Sequence, residues 1–271
     1  MTSASTTPHE HLPVALDRVG AVATIRLNRP EAMNALDTAT KEALLAAVRQ
    51  VAEDSSIRCL VLTGSGKAFC VGQDLKEHIG LLHSGRTDLG DTVRYHYNPI
   101  ALALATMPKP VIAALNGVAA GAGASFAFGA DVRIATTAAG INLAFAQIGL
   151  SADSGATWWL PRLVGPAKAK ELLFHPRTIP ADECLRLGLV TQVVAEEDFE
   201  RTVADAAAAL AAGPTAAYAA IRQAVAFSVG HELAEALANE ADHMDWTGAS
   251  ADHRVAVQAF LDRVPPQFTG R

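Results

Sequence analysis

The sequence predicts an α/β fold with a helical C-terminal region, and three observations carry that prediction. Short, near-continuous apolar runs at 59–63, Val111–Leu115 and 132–135 have the pattern of strands buried on both faces of a parallel sheet. Segments of helical periodicity alternate with them. From Glu196 onward the pattern is almost wholly helical, which divides an α/β core from an all-α region near residue 195. A chain of 271 residues, half of them hydrophobic, is long enough for one large core with an appended subdomain.

In chain order, residues 1–11 are polar and Ser/Thr-rich, lack a basic-then-apolar leader pattern, and are expected to form a disordered tail. Residues 14–16 and 22–27, joined around Val19-Gly20, read as a hairpin that Asn28-Arg29-Pro30 ends. Asp37 is placed to cap a helix reaching about Ala52, with Leu44, Val48, Val51 and Ala52 on one face. The strand at 59–63 runs into Gly64-Ser-Gly-Lys-Ala-Phe-Cys-Val-Gly-Gln-Asp-Leu-Lys76. Residues 78–91 carry Gly, Ser, Thr and charges and are expected to be a mobile loop or lid. Residues 92–106 read as a helix interrupted by Pro99, and Pro108 and Pro110 precede the strand Val111–Leu115.

The stretch 116–130 holds four glycines and almost nothing bulky between two apolar runs. It reads either as a tight packing turn or as a turn whose free N–H groups hold an anion or oxyanion. After the strand at 132–135, residues 141–145 suggest a short one. Gly149-Leu-Ser-Ala-Asp-Ser-Gly155 is a turn into a helix through Trp158, Trp159 and Leu160. Helices at 167–174 and 181–187 and a short strand at 189–194 complete the core. The alanine-dense run 204–212 signals high helix propensity and stops at Gly213-Pro214. Leu233, Leu237, Ala241 and Met244 mark one face of a later helix, and 251–263 is the last.

Composition excludes several function classes. Net charge is −6 with no basic block, which argues against a nucleic-acid partner. No apolar stretch is long and unbroken enough for a transmembrane helix, so no membrane partner is expected. Cys59, Cys70 and Cys184 have neither metal-ligand nor disulfide-scaffold spacing and are expected to be reduced thiols of a cytoplasmic protein. A phosphate-loop reading of Gly64-Ser-Gly-Lys67 fails, because its first glycine would fall at Val61 and Ala68 replaces the Ser/Thr. A dinucleotide fingerprint needs a third glycine where Phe126 stands. A nucleophile elbow at Gly149-Leu-Ser151 ends on Asp153 instead of glycine. No H-E-x-x-H or H-x-x-E-H occurs, so no metal is expected. Two glycine-bearing turns remain, Gly72-Gln73 and Gly121-Ala122, each after a buried strand. Two N–H groups from separate turns can converge on one developing oxyanion, and a carboxylate nearby would move the proton.

At this point the residues carry a family resemblance. Leu27-Asn-Arg-Pro30, Met33-Asn-Ala-Leu36, Gly66-Lys-Ala-Phe-Cys-Val-Gly-Gln-Asp-Leu-Lys76, Lys109-Pro-Val-Ile-Ala113, Asn116-Gly-Val-Ala-Ala-Gly-Ala-Gly123, Gly129-Ala-Asp131 and Leu160-Pro-Arg-Leu-Val-Gly165 occur in the order of the enoyl-CoA hydratase/isomerase (crotonase) superfamily, which the chain resembles over nearly its whole length. Within it, Gly72-Gln-Asp-Leu75, Tyr97-Asn-Pro99, Asp153-Ser-Gly155, Trp159-Leu-Pro-Arg162 and Pro266-Gln-Phe-Thr-Gly270 are similar to members that isomerise ring 1,2-epoxyphenylacetyl-CoA.

The resemblance implies a crotonase-like spiral of β-β-α units over 12–195 and an all-α C-terminal trimerisation region over 196–271, giving a homotrimer or hexamer. It implies an acyl-CoA thioester substrate, with CoA belonging to the substrate and no separate cofactor. It implies an oxyanion hole from the Gln73 and Ala122 N–H groups, and substrate contacts from Ala32, Met33, Val71, Gly72, Asp74, Leu75, Lys76, Gly121 and Phe145. The two glutamates of the family's hydratases fall at Ser125 and Phe145, neither of which is a carboxylate. The acid/base role then falls to Asp153, a residue that is otherwise read as a helix N-cap. Burial near Phe145, Trp158 or Trp159 would raise its pKa and a helix N-terminus would lower it. The expected activity is acyl-CoA isomerisation. The alternatives are water addition to a 2-enoyl-CoA by Asp153, and acyl-CoA binding without turnover.

Overall fold

A computed structural model describes residues 12–85 and 89–271, so the expected tail at 1–11 lies outside the described residues. The strands are β1 (Val14–Val19), β2 (Val22–Leu27), β3 (Cys59–Gly64), β4 (Ala68–Cys70), β5 (Val111–Leu115), β6 (Val118–Ala120), β7 (Val132–Thr136), β8 (Gly140–Asn142), β9 (Thr178–Pro180) and β10 (Gln192–Val194). The helices are α1 (Thr38–Glu53), α2 (Leu75–His83), α3 (Leu89–Thr92), α4 (Asn98–Thr106), α5 (Ala122–Phe128), α6 (Ala156–Val164), α7 (Pro166–Phe174), α8 (Ala181–Arg186), α9 (Glu196–Ala212), α10 (Thr215–Ser228), α11 (Leu233–Gly248) and α12 (Ala251–Asp262).

Two sheets form, ordered β1-β2-β3-β5-β7-β10 and β4-β6-β8-β9. The chain alternates between them: β3, β5 and β7 enter the first, and β4, β6 and β8 follow at once in the second. The β1–β2 hairpin and the β8–β9 pair are antiparallel, and the other pairings are parallel. The short strands at 68–70 and 118–120 escape the sequence reading because three residues between Gly, Lys and Asn show no period.

The apolar runs are explained by burial on both faces. Leu60 and Leu62 join the main core with Leu44, Val48 and Val51 of α1. Cys59, Val61, Ile112 and Ala114 face the other way, against Phe199, Val203 and Ala207 of α9. Asp37 caps α1 as expected, accepting from Thr40 N–H at 2.8 Å.

Three expectations need correction. Within the loop expected at 78–91, residues 78–83 belong to α2 and 89–91 to α3, and 86–88 lie outside the described residues; the Asp74 carboxylate accepts from the N–H groups of Lys76 and Glu77 at 2.9 and 3.3 Å and starts a helix that runs through Gly80. Pro99 does not interrupt a helix. The backbone stays right-handed helical through Thr92, Tyr97 and Asn98, and a π-helical turn over Val93–Tyr97 leads directly into α4, which holds Pro99 at its start. The strands at 141–145 and 189–194 shorten to β8 and β10.

The C-terminal helices end in a clip. Asp252, 2% exposed, accepts from the N–H groups of Thr269 and Gly270 at 2.6 and 2.8 Å. Arg222 of α10 reaches back to Asp131 and to carbonyls at the end of α4.

Gly123 in α5 lies flat on β4, where an added Cβ would stand 2.3 Å from the Cys70 carbonyl oxygen. Gly123→Ala is therefore expected to destabilise the fold by about 1–3 kcal/mol, read as a lower midpoint in urea unfolding.

Candidate active site

The second sheet delivers the site. β4 pairs in parallel with β6, and β6 with β8, so all three end at one edge. Ligand-binding crevices in parallel sheets lie beyond such carboxyl ends. Gly72-Gln73 follows β4, Gly121-Ala122 follows β6, and Phe145 and then Asp153 follow β8.

The Gln73 turn is held by a bridge to Leu36. Leu36 N–H donates to Gly72 O at 2.8 Å, and Asp74 N–H donates to Leu36 O at 3.2 Å. In a parallel bridge of this kind the Gln73 N–H takes no part and lies on the opposite side of the backbone. The bridging loop is itself pinned. Asn34, fully buried, donates to Ala68 O at 2.7 Å and Ser65 O at 2.9 Å. Arg29 spans Ala35 O, Asp74 and Asp37 at 2.7, 3.0 and 3.1 Å. Ala32 and Met33 sit on this loop, next to the turn in the fold.

The Ala122 turn begins with Gly121, at φ +52, whose N–H donates to Asn142 O at 3.0 Å. Ala122 is the first residue of α5, so its N–H has no acceptor within the helix. The two turns meet. A Cβ built on Gly72, itself at φ +83, would stand 3.2 Å from Ala122 N and 3.0 Å from Ala120 O. One built on Gly121 would stand 4.0 Å from the Phe145 ring. Gly72, Gly121, Ala122 and Phe145 therefore come together, and the absence of a side chain at 72 keeps the approach to Ala122 N–H open.

Asp153 is not a helix cap. Gly155 takes that position at φ +84, and Asp153 contributes only its carbonyl, 2.9 Å from Ala156 N. Its carboxylate accepts from the Ser154 hydroxyl at 2.8 Å. Burial raises the Asp153 carboxyl above the usual carboxylate range, and the Ser154 bond offsets only part of this. Ser125, fully buried, donates to Gly121 O at 3.1 Å and Asp153 O at 3.3 Å. That hydroxyl joins the Ala122 turn to the Asp153 turn. Trp159 packs over Gly155, leaving no room for a Cβ there. Trp158 is exposed, with the Arg162 guanidinium 3.9 Å above its ring.

A cavity of 740 Å³ has Asp153 on one wall and Gln73, Lys41, Glu77 and Tyr97 on others, with Leu150 and Leu81 among its apolar lining. Ala32, Met33, Val71, Asp74, Leu75, Lys76, Gly121, Ala122 and Phe145 are not part of that lining. Met33 and Leu75 are exposed, and Asp74 serves as the cap of α2. A separate 680 Å³ groove between the first sheet and α9 shares no residue with this cavity.

Sequence reasoning missed Lys41, Glu77 and Thr92. The Lys41 ammonium is 2.8 Å from Glu77 Oε1 and donates to Gln73 Oε1 and Thr92 Oγ1 at 3.3 and 3.0 Å. A signal existed: Lys41 falls in line with Leu44, Val48 and Val51 on the buried stripe of α1. Tyr97, of the Tyr97-Asn-Pro99 segment, donates its hydroxyl to Gln73 Oε1. Burial pushes all three cysteine thiols up to about 12, which leaves them protonated and unreactive.

The raised Asp153 pKa fixes a stability prediction. The folded state favours the protonated carboxyl, so stability falls as pH rises from the ordinary value of about 3.9 through the raised one. Asp153→Asn, which keeps the acceptor for Ser154, is expected to unfold at a higher temperature than the native chain at pH 7.5. The difference should close as pH falls toward 4, in parallel thermal melts across pH.

Residues 17–271 match the family described as enoyl-CoA hydratase/isomerase. The chain is 45% identical over 250 residues to a Rhodobacter capsulatus protein named "Probable enoyl-CoA hydratase", covering 92% of this chain and 95% of that one. It is 42% identical over 250 residues, with the same coverage of each, to 1,2-epoxyphenylacetyl-CoA isomerase of Escherichia coli. The crystal structure of an enoyl-CoA hydratase from Bacillus anthracis superposes with a TM-score of 0.87 at 31% identity, over 96% of this chain and all of that one. In sequence over nearly its full length, and in the alternation of strands that builds its two sheets, the chain belongs to the enoyl-CoA hydratase/isomerase family.

Proposed function

We propose that the protein is an acyl-CoA isomerase acting on an unsaturated or epoxidised acyl thioester. The thioester oxygen receives the N–H groups of Gln73 and Ala122. The Asp153 carboxylate removes a proton from the acyl chain, the electron pair moves onto the thioester oxygen, and Asp153 returns the proton at another carbon. Donors fixed in place before the charge develops stabilise an enolate without reorganising. CoA enters as part of the substrate, so the scheme needs no separate cofactor.

The observation that carries this reading is the Asp153 carboxyl, raised by burial and facing one cavity with Gln73. A base tuned toward the working pH transfers protons efficiently in both directions. Ser125 and Phe145, at the two positions where the resemblance puts the hydratase glutamates, support one carboxylate acting alone. The name of the Escherichia coli relative agrees with it. Hydration of a 2-enoyl-CoA is the second reading, and the name of the Rhodobacter capsulatus relative favours it.

The test is a panel of unsaturated, aromatic and epoxide CoA thioesters in deuterated water, followed by mass and ultraviolet spectra. Isomerisation with deuterium incorporation is expected, and Asp153→Asn should lower turnover by about 10²–10⁴-fold while acyl-CoA still binds. The acid limb of kcat/KM against pH should lie above the ordinary carboxylate range, since the base must be ionised in the free enzyme. Robust hydration of crotonyl-CoA without isomerisation of any thioester would overturn the assignment.

We also infer a homotrimer or hexamer assembled through the C-terminal helices. Ile221, Val225, Leu233, Leu237, Met244 and Phe260 are exposed along α10–α12, an apolar load a monomer would leave in water. Sedimentation velocity should give three or six times the 28.3 kDa chain mass, and a monomer at micromolar concentration would contradict it.

A further inference from the structure

We propose that Lys41 is a positioning residue that aims the Gln73 N–H by clamping the Gln73 side chain. The proposal rests on the reading that this N–H receives the thioester oxygen.

The clamp is visible in the hydrogen bonds. Lys41 is 1% exposed. An ammonium has three donors, and all three are used: on Gln73 Oε1 at 3.3 Å, Glu77 Oε1 at 2.8 Å and Thr92 Oγ1 at 3.0 Å. Each acceptor lies on a different piece of backbone: the turn after β4, the first turn of α2, and the end of α3. Gln73 Oε1 accepts a second bond from the Tyr97 hydroxyl, and Gln73 Nε2 donates to Glu77 Oε1 at 3.1 Å. Both ends of the Gln73 amide are thereby occupied, and the side chain cannot turn without breaking several bonds at once.

The anchor is electrostatically fixed as well. Burial would raise the Glu77 carboxyl, but the Lys41 ammonium and the N–H and hydroxyl of Thr38 hold it down at about 2. Glu77 therefore stays ionised over any working pH. Buried ion pairs are weak sources of stability compared with apolar groups of the same volume. What this one supplies is geometry. Any residue but proline at 73 would offer an N–H; its peptide plane is held at Gly72 O by the Leu36 N–H, and the clamp fixes the side chain on the adjoining Gln73 Cα, so bridge and clamp together set the direction of that N–H. Tyr97 and Asp153 line the same cavity, so the network ties the Gln73 turn to another part of that lining.

The experiment compares the native chain with Lys41→Met/Glu77→Gln, which removes both charges and leaves none unpaired. The probe is a saturated acyl-CoA carrying a 13C-labelled thioester carbonyl, whose bound stretching frequency reports polarisation of the oxygen whatever the reaction. Turnover is measured on the substrate found in the thioester panel. On binding to the native protein the stretch should fall. In the double variant it should move back toward the free value, kcat should drop about 10- to 100-fold, and KM should change by no more than about threefold. Lys41→Arg should restore part of both. If the double variant does not fold, Lys41→Arg carries the test, since it keeps the charge beside Glu77 but changes the donor geometry at Gln73 Oε1; smaller changes of the same signs are expected. Native stretch and native kcat in whichever folded variant is measured would overturn the role of Lys41. An unshifted stretch in the native protein itself would instead overturn the oxyanion reading, and this proposal with it.

Discussion

The contact between two peptide turns, Gly72-Gln73 against Gly121-Ala122, governs how the rest of the chain must be arranged. With a Cβ on Gly72 only 3.2 Å from Ala122 N, the two backbones are about as close as they can pack. That approach requires β4 and β6 to be parallel neighbours, so that both end at one edge. Parallel neighbours require long connections, which here are supplied by α2 through α4 and by β5. The first sheet serves this arrangement. β3 and β5, buried on both faces between α1 and α9, are the rigid base from which β4 and β6 leave.

The cavity beyond these turns sets two carboxylates apart. Burial lifts the Asp153 carboxyl, and its one side-chain donor is the Ser154 hydroxyl. Burial acts on Glu77 in the same sense, but a cation, an N–H and a hydroxyl overcome it. Environments that push two acids in opposite directions assign them different work. Glu77 becomes a fixed ion within the scaffold. Asp153, lifted above the ordinary carboxylate range, is the acid of the two suited to taking up and releasing a proton, which is the property a proton shuttle needs.

Much of this was legible in the sequence, and the limits are physical. The long parallel strands announced themselves as apolar runs, the helical C-terminal third by its period, and Asp37 by its position before the Leu44–Val48–Val51 stripe. The strands of the second sheet were hidden, because three-residue segments such as Ala68–Cys70 have no period to read. The C-terminal part of α2 reads as a loop in the sequence because Gly80 and the charges of 78–91 hide its helical period, and the Asp74 cap shows only in the structure. Asp153 was found by motif position alone. Its neighbourhood, and hence the direction of its pKa, came from segments far apart in sequence. Lys41 is absent from the sequence reading, although its place on an apolar stripe marks it as buried.

Ser125 and Phe145 change meaning once these distances are known. By sequence Ser125 stands out only as a position without a carboxylate. Its hydroxyl in fact spans Gly121 O and Asp153 O, so it couples the turn carrying Ala122 to the turn carrying the carboxylate. Phe145 closes against Gly121 with an apolar ring, where no water can be held by hydrogen bonds. In a site built this way neither position supplies a second carboxylate to activate water, since the Ser125 hydroxyl is turned onto backbone carbonyls and Phe145 is apolar. That asymmetry supports moving a proton along the acyl chain over adding water across it. It also makes the aim of the two N–H groups more important, because the enolate must persist while Asp153 carries its proton from one carbon to the next.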